Sequence, residues 1–505
     1  MLILLGWVIQ PDWFPGSPQS TGVSNLGGET RQLDAMKGGP QATNPKTNGI
    51  AGQEVGDLET GAGRAIPGEK ILQFKDRAAY EKFITSMPAE SLLGRIDGLL
   101  ALRVQDGSWL KAVSSSEVAS MGSNYYVAVP KVPLEVLTAG GNYYREVGKR
   151  SMEMMGAEAV TSSWGQGVKV ALLDTSIENT ENLKGAEAGH GTAMLSLITG
   201  SPGSVQGASP GATILGFAVL SGDGVGNSFS LAEAILKATD RGAKVINMSL
   251  GSDGDSSVVR HAVAYAISKN VVLVAAAGNE AVNRVSYPAA YDGVVSVGSV
   301  DAERQHLYFS NRGPSVSVVA PGYGVEADGP PGGMVKVSGT SASTALVSGV
   351  VAALLAKEPN LSGPKVAELL RQYADDTGVA GKDDETGYGV VNLQRILERN
   401  QRGIVDLAVA GVQFDPAGKL TVVVQNRGTE TVNSPVLEIE VRGDTRRFYL
   451  GSIAPGQSVG EAVRFDGVRA KQDGKIAWST AIRLPRGKDL RTDNDNARGE
   501  FKIPK

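Results

Sequence analysis

Between residues 148 and 398, short and almost wholly apolar runs alternate with longer helical stretches. The runs Val168–Leu173, Thr213–Val219, Val245–Met248, Val271–Ala276 and Val294–Val297 lack the apolar/polar alternation of a half-exposed strand. They predict strands buried on both faces. The stretches Thr192–Thr199, Ser230–Arg241, Ser256–Lys269 and Ser341–Lys357 predict helices between and after them. Buried strands separated by helices imply an α/β fold with a doubly wound, mostly parallel sheet. Ligands of such sheets bind beyond the carboxyl ends of the strands, so those ends are where chemistry is to be sought.

The pattern changes on either side. Residues 69–147 read as a small α+β module. Ile71–Phe74, Leu99–Val104 and Tyr125–Val129 form its strands, and Asp76 caps a helix that carries Tyr80, Phe83, Ile84 and Met87 on one face. Residues 404–503 switch to period-two alternation. Leu420, Val422 and Val424, then Leu437, Ile439 and Val441, point to one side between turn signals such as Asn426-Arg427-Gly428 and Pro455-Gly456. Short alternating strands with frequent turns predict a C-terminal β-sandwich. Residues 1–68 are expected to be a disordered leader: an apolar tip, Met1–Ile9, precedes a polar tract rich in Gly, Pro, Ser, Thr and Asn. The tip lacks the charged start of a signal peptide and is either an export-signal remnant or an incidental apolar end.

Composition narrows the chemistry. Lys+Arg 49 against Asp+Glu 53 in 505 residues leaves a net charge of -4, which argues against a nucleic-acid partner. With no cysteine, thiolate metal sites, disulfides and cysteine nucleophiles are excluded. Only three histidines, His190, His261 and His306, are available as a general base. No uninterrupted apolar run reaches the ~18 residues expected of a transmembrane span.

Four groups fall where the predicted strand ends and helix starts should meet. Strand Val168–Leu173 runs into Asp174. Gly189-His190-Gly191-Thr192 opens a helix, Ala277-Gly278-Asn279 follows another strand, and Gly339-Thr340-Ser341 opens the long apolar helix. An acid, an imidazole, an amide and a hydroxyl on one rim suffice for acyl transfer. A serine hydroxyl needs a base to take its proton, the base needs an orienting carboxylate, and the tetrahedral oxyanion needs a donor such as the Asn279 amide. Each segment alone is most often a loop or a helix cap. Their joint order favours a single site.

At these residues the sequence resembles the subtilisin-like serine proteases, the subtilase family. Gly167–Thr175 is similar to the family's aspartate block, Gly189–Thr192 to its histidine block, and Gly339–Ser341 to its serine block. Val245–Gly251 resembles the segment that pairs with the substrate backbone, and Ala275–Glu280 resembles the oxyanion block. Tyr287–Asp292, Val297–Asp301, Phe309-Ser310 and Ala320–Gly322 follow in family order. The order Asp, His, Ser differs from the chymotrypsin and α/β-hydrolase arrangements. The resemblance implies Asp174, His190 and Ser341 as catalytic residues and Asn279 in the oxyanion hole. It also implies Ser249, Leu250 and Gly251 as the edge that binds a polypeptide substrate. No cofactor is implied for catalysis, and no metal ligand is assigned.

Three departures accompany it. Ser176 stands where the family usually has glycine, only 16 positions separate Asp174 from His190, and Ala342–Leu346 replaces the usual sequence after the serine. The short gap removes the basis for transferring a calcium site. The resemblance further implies that module 69–147 is a self-removed propeptide, with cleavage between Gly140 and Ser151. A permanent domain is the alternative. The 404–503 sandwich is similar to adhesion-related domains and is expected to bind a surface or substrate ligand, or to brace the protease. Location is expected to be secreted, periplasmic or cell-surface.

The remaining candidates have plainer readings. His261 is a surface or packing residue on a helix, and His306 is a loop residue. Gly222–Gly226 lacks the last glycine of a dinucleotide fingerprint, since Asn227 stands there, and the family resemblance implies that it is a cleft wall near bound substrate. Asp493 and Asp495 read as a solvated turn before a calcium loop. The chain is thus expected to be a self-processed serine endopeptidase. A catalytically silent polypeptide-binding scaffold, or an adhesin built on the same fold, is the alternative.

Overall fold

The computed structural model describes residues 64–133, 144–177, 184–201, 203–329, 333–415, 418–467, 475–485 and 487–502, together with a two-residue strand β1 (Trp7–Val8). The rest of the expected leader lies outside the described residues. So does the segment 134–143, where the expected cleavage region begins.

The N-terminal module contains β2 (Ala65–Phe74), α1 (Arg77–Ser86), β3 (Leu92–Ile96), β4 (Ala101–Gln105) and β5 (Val118–Ala128). Its strands pair antiparallel in the order β3-β4-β2-β5. Asp76 starts α1 by accepting a hydrogen bond from the Ala79 N–H at 2.8 Å. That helix buries Tyr80 against Leu72, Phe74, Leu102 and Val104.

The central domain begins with α2 (Ser151–Met154), β6 (Lys169–Asp174), α3 (His190–Thr199), β7 (Thr213–Ala218), β8 (Val225–Asn227) and α4 (Ser228–Asp240). It continues through β9 (Val245–Met248), α5 (Ser257–Ser268), β10 (Val272–Ala276), β11 (Val295–Val300) and β12 (Val318–Pro321). Six strands form one parallel sheet in the order β12-β11-β10-β9-β6-β7. Period-two geometry sends alternate residues of β6 to opposite faces. Val170 and Leu172 join the apolar cluster of α3, whereas Ala171 and Leu173 join that of α4 and α5. The sheet is therefore covered on both sides, which explains why its strands read as unbroken apolar runs.

The hairpin β13 (Val325–Gly329) and β14 (Gly333–Val337), with β1 beside it, leads into α6 (Thr340–Lys357), α7 (Gly363–Gln372) and α8 (Leu393–Glu398). Helix α6 is long and apolar enough to cross a bilayer by length and composition alone. It lies mostly buried in the protein, packed through Ala342, Ala345 and Leu346 into the cluster that holds Met194 and Leu197 of α3.

The C-terminal strands are β15 (Leu407–Asp415), β16 (Lys419–Asn426), β17 (Val436–Val441), β18 (Asp444–Tyr449), β19 (Ser458–Arg464), β20 (Lys475–Arg483) and β21 (Asn496–Lys502). They make two antiparallel sheets, β15-β16-β19 and β18-β17-β20-β21. Leu420, Val422 and Val424 from one sheet and Leu437, Ile439, Val441 and Trp478 from the other meet in one apolar cluster.

Both flanking regions are tied to the central domain by buried polar contacts. Asn124 of β5 accepts hydrogen bonds from the Phe229 N–H and the Ser228 hydroxyl at the start of α4, at 3.1 and 2.9 Å. At the other end, buried Asp375 pairs with Arg304 at 2.9 Å, Arg395 at 3.2 Å and Arg427 of the C-terminal region at 3.5 Å.

Candidate active site

Asp174 ends β6 with its carboxylate fully buried. One oxygen, Oδ1, accepts from the Thr175 N–H at 2.7 Å and lies 2.6 Å from Nδ1 of His190. His190 is the first residue of α3 and is only 3% exposed. Burial alone would pull the imidazole pKa down. The Asp174 charge and hydrogen bond, helped by the Glu187 charge, more than offset this and raise it above the ordinary value. An imidazole held at Nδ1 by a carboxylate is oriented for proton transfer at Nε2.

Ser341 sits in the first turn of α6, where the positive end of the helix favours developing negative charge. Its hydroxyl donates to the carbonyl oxygen of Ser249 at 3.3 Å, and the Ser249 hydroxyl donates to the Ser341 carbonyl at 3.0 Å. The side chain of Leu250 is buried in the core behind this edge. His190 and Ser341 line one small cavity together with Val129, Pro130, Met194, Val337, Ser338 and Ala342.

The Asn279 amide is oriented from one side. Its Oδ1 accepts from both the N–H and the hydroxyl of Thr340, at 3.0 and 2.9 Å, so its Nδ2 faces the cleft. There it donates to the carbonyl oxygen of Pro130 at 2.8 Å. Two glycines permit this. Gly278 turns the chain at φ +109, and a Cβ there would fall 2.1 Å from the Asn311 amide nitrogen. A Cβ on Gly339, at φ +126, would fall 2.8 Å from Asn279 Nδ2. Thr340 was not singled out as a positioning residue from sequence, although its place between Gly339 and Ser341 was the available signal.

The cleft is occupied by the chain itself. The end of β5 runs antiparallel to β8, pairing Tyr126 with Asn227, Val127 with Gly226 and Ala128 with Val225. On the other side Ala128 and Gly251 exchange both backbone hydrogen bonds, at 2.9 and 2.8 Å. The Val129 N–H donates to the Gly224 carbonyl at 2.9 Å. Segment 126–130 is therefore an extended strand between two edges, the geometry of β-strand addition. The stretch Gly222–Gly226 is one wall of that cleft.

The other two histidines lie elsewhere. His261 projects from α5 with Nδ1 2.9 Å from the Gln73 side chain of the N-terminal module. His306 is in a loop after β11 but is buried; burial, with the Arg312 charge, pushes its pKa down to about 3. Neither lines the cavity shared by His190 and Ser341. Among the described residues, no group of three or more His, Asp or Glu side chains is arranged to hold a metal ion.

Residues 165–389 match the model of the subtilase family. Subtilisin BL from Lederbergia lenta is 33% identical over 246 residues, covering 46% of this chain and 90% of that protein. This chain belongs to the subtilase family. Alkaline elastase YaB from Bacillus sp. (strain YaB), at 33% identity, and M-protease from Shouchella clausii (strain KSM-K16), at 34%, also match 46% of the chain. The chain spans 64% of the length of each of these two relatives. The solved protease domain of PatA, 29% identical, overlays on 46% of this chain and 95% of that one with a TM-score of 0.43. In this subtilase the matched segment holds Asp174, His190, Asn279 and Ser341, while segment 126–130 lies N-terminal to it.

Proposed function

We propose that this subtilase is a serine endopeptidase that hydrolyses polypeptides through an acyl-enzyme on Ser341. His190 takes the Ser341 proton and returns it to the leaving amine, Asp174 holds the imidazole in the required tautomer, and the Asn279 amide donates to the oxyanion. Ser249, Leu250 and Gly251 supply the edge along which substrate backbone is laid. This chemistry calls only on side chains and backbone of the chain. The observation that carries the reading is the buried Asp174–His190 contact of 2.6 Å, with His190 and Ser341 lining one cavity.

The N-terminal module is read as a propeptide, supported by its last strand lying in the cleft. The C-terminal sheets are read as a β-sandwich of the adhesion-related kind that braces the protease or carries a surface or substrate ligand. Action outside the cytoplasm accompanies this reading through the family likeness.

One observation favours a silent polypeptide-binding scaffold instead: the Ser341 hydroxyl is directed at the Ser249 carbonyl. Casein hydrolysis with and without a serine-protease inhibitor separates the two. The peptidase reading expects inhibitable cleavage that Ser341→Ala abolishes, and a scaffold shows none.

A further inference from the structure

We propose that the chain presents its own Pro130–Lys131 peptide bond to Ser341, and that proline at position 130 makes this a slowly cleaved, self-blocking bond. The inference rests on the peptidase reading above and adds to it which bond is cut and what sets its rate.

The chain is held on both sides of the bond. Before it, Ala128 is paired with Gly251 and Val129 with Gly224. At it, the Pro130 carbonyl oxygen accepts from Asn279 Nδ2 at 2.8 Å, where the negative oxygen of a tetrahedral intermediate requires its donor. After it, Val132 is buried against Tyr144, Leu307, Phe309 and Tyr323. Pro130 also shares its cavity with Ser341 and His190. The region favoured from sequence, between Gly140 and Ser151, is held elsewhere where it is described. The N–H groups of Val147 and Gly148 donate to the carbonyls of Tyr323 and Gly324, both at 2.9 Å. The proposed cut therefore lies at position 130, ahead of that region.

The reaction at this bond balances without any co-reactant but water. Ser341 Oγ bonds to the Pro130 carbonyl carbon as His190 takes the hydroxyl proton. The carbon–nitrogen bond to Lys131 then breaks, and the proton passes to the new Lys131 amine. Water, deprotonated by His190, hydrolyses the ester and leaves a carboxylate on Pro130 while the Ser341 hydroxyl is restored.

The brake follows from strand register. In an antiparallel pair, moving two residues forward on one strand moves two residues back on the other. Since Ala128 faces Gly251, Pro130 faces Ser249. An ordinary residue at 130 would offer its N–H to the Ser249 carbonyl, but proline has none. That carbonyl instead accepts the Ser341 hydroxyl at 3.3 Å. A hydroxyl carries one proton, so while it is given to Ser249 it is not given to His190. Pro130 both removes a backbone hydrogen bond from the bound segment and leaves open an acceptor that draws the nucleophile's proton away from its base.

The test uses the full chain, its Ser341→Ala variant and its Pro130→Ala variant. Mass spectrometry follows the C-terminus of the N-terminal fragment over time, alongside inhibitor-sensitive casein hydrolysis. The expected result is a fragment ending at Pro130 from the unmodified chain and none from Ser341→Ala. With Pro130→Ala, the fragment ending at position 130 should appear roughly 2- to 10-fold faster, the effect of regaining one ordinary hydrogen bond. Inhibitable casein hydrolysis with an uncut chain, or with a fragment ending elsewhere, would overturn the assigned bond while leaving the peptidase reading intact. Equal or slower cutting in Pro130→Ala would overturn the brake. Absence of both hydrolysis and self-cleavage from every form would remove the peptidase reading itself.

Discussion

Thr340 gives both of its donors, the backbone N–H and the hydroxyl, to Oδ1 of Asn279. An amide whose oxygen is engaged in this way presents its nitrogen, so Thr340, beside Ser341, sets the direction of the Asn279 amide, the proposed oxyanion donor. Removing an oxyanion-hole donor from subtilisin itself costs about 10²–10³ in turnover, and the same loss is expected for Asn279→Ala. Thr340→Val keeps the backbone donor and loses the hydroxyl. It should lower kcat about tenfold, the worth of one hydrogen bond, and leave KM nearly unchanged. Thr340→Ser should restore kcat. Steady-state kinetics on a peptide substrate checks all three.

The acid limb of the activity profile should report His190. A general base works unprotonated, and this imidazole has its pKa raised: burial lowers it, but the Asp174 and Glu187 charges and the Asp174 hydrogen bond outweigh burial. Activity should therefore fall on acidification at a midpoint above the ordinary histidine value of about 6.5. Glu187→Gln removes one raising charge and should move that midpoint to lower pH with little change in the alkaline plateau. Asp174→Ala should lower kcat by about 10⁴, as loss of the corresponding aspartate does in subtilisin itself. A pH series of kcat/KM for each form is the measurement.

Asp375 should couple the C-terminal sheets to the stability of the central domain. Burial alone would push its carboxyl up, but the charges of Arg427, Arg304 and Arg395 hold it well below the usual carboxylate range. A carboxyl whose pKa is lowered on folding stabilises the protein above its unfolded value of about 3.9, and that contribution is lost as pH falls through the folded value. Asp375→Ala leaves buried guanidinium groups without this partner and should cost about 3–5 kcal/mol. Urea unfolding at neutral pH measures the loss. The difference between the two forms should shrink toward acid pH.

Much of the central domain was legible because double-sided burial leaves its trace in sequence. Strand Val168–Leu173 falls within one residue of β6, and the helix expected from Ser341 begins at Thr340. The glycines beside His190 and Ser341 marked positions that must stay small. The occupied cleft was not legible. Tyr125–Val129 read correctly as a strand, but the hydrogen bond from Asn279 to Pro130 joins residues 149 positions apart and leaves no periodic signal. The Asp375 cluster was hidden for the same reason: Arg304, Arg395 and Arg427 are isolated charges with no shared spacing, and only the fold brings them to one carboxylate.

Reaction with a fluorophosphonate, followed by mass-spectrometric mapping of the adduct, tests most directly whether Ser341 is the nucleophile and His190 its base. The protein should be labelled over a pH series after its N-terminal fragment has separated. A single adduct on Ser341 is expected, forming more slowly on acidification with the same midpoint as kcat/KM. An adduct on another serine, or labelling of Ser341 with no such acid limb, would contradict the assignment.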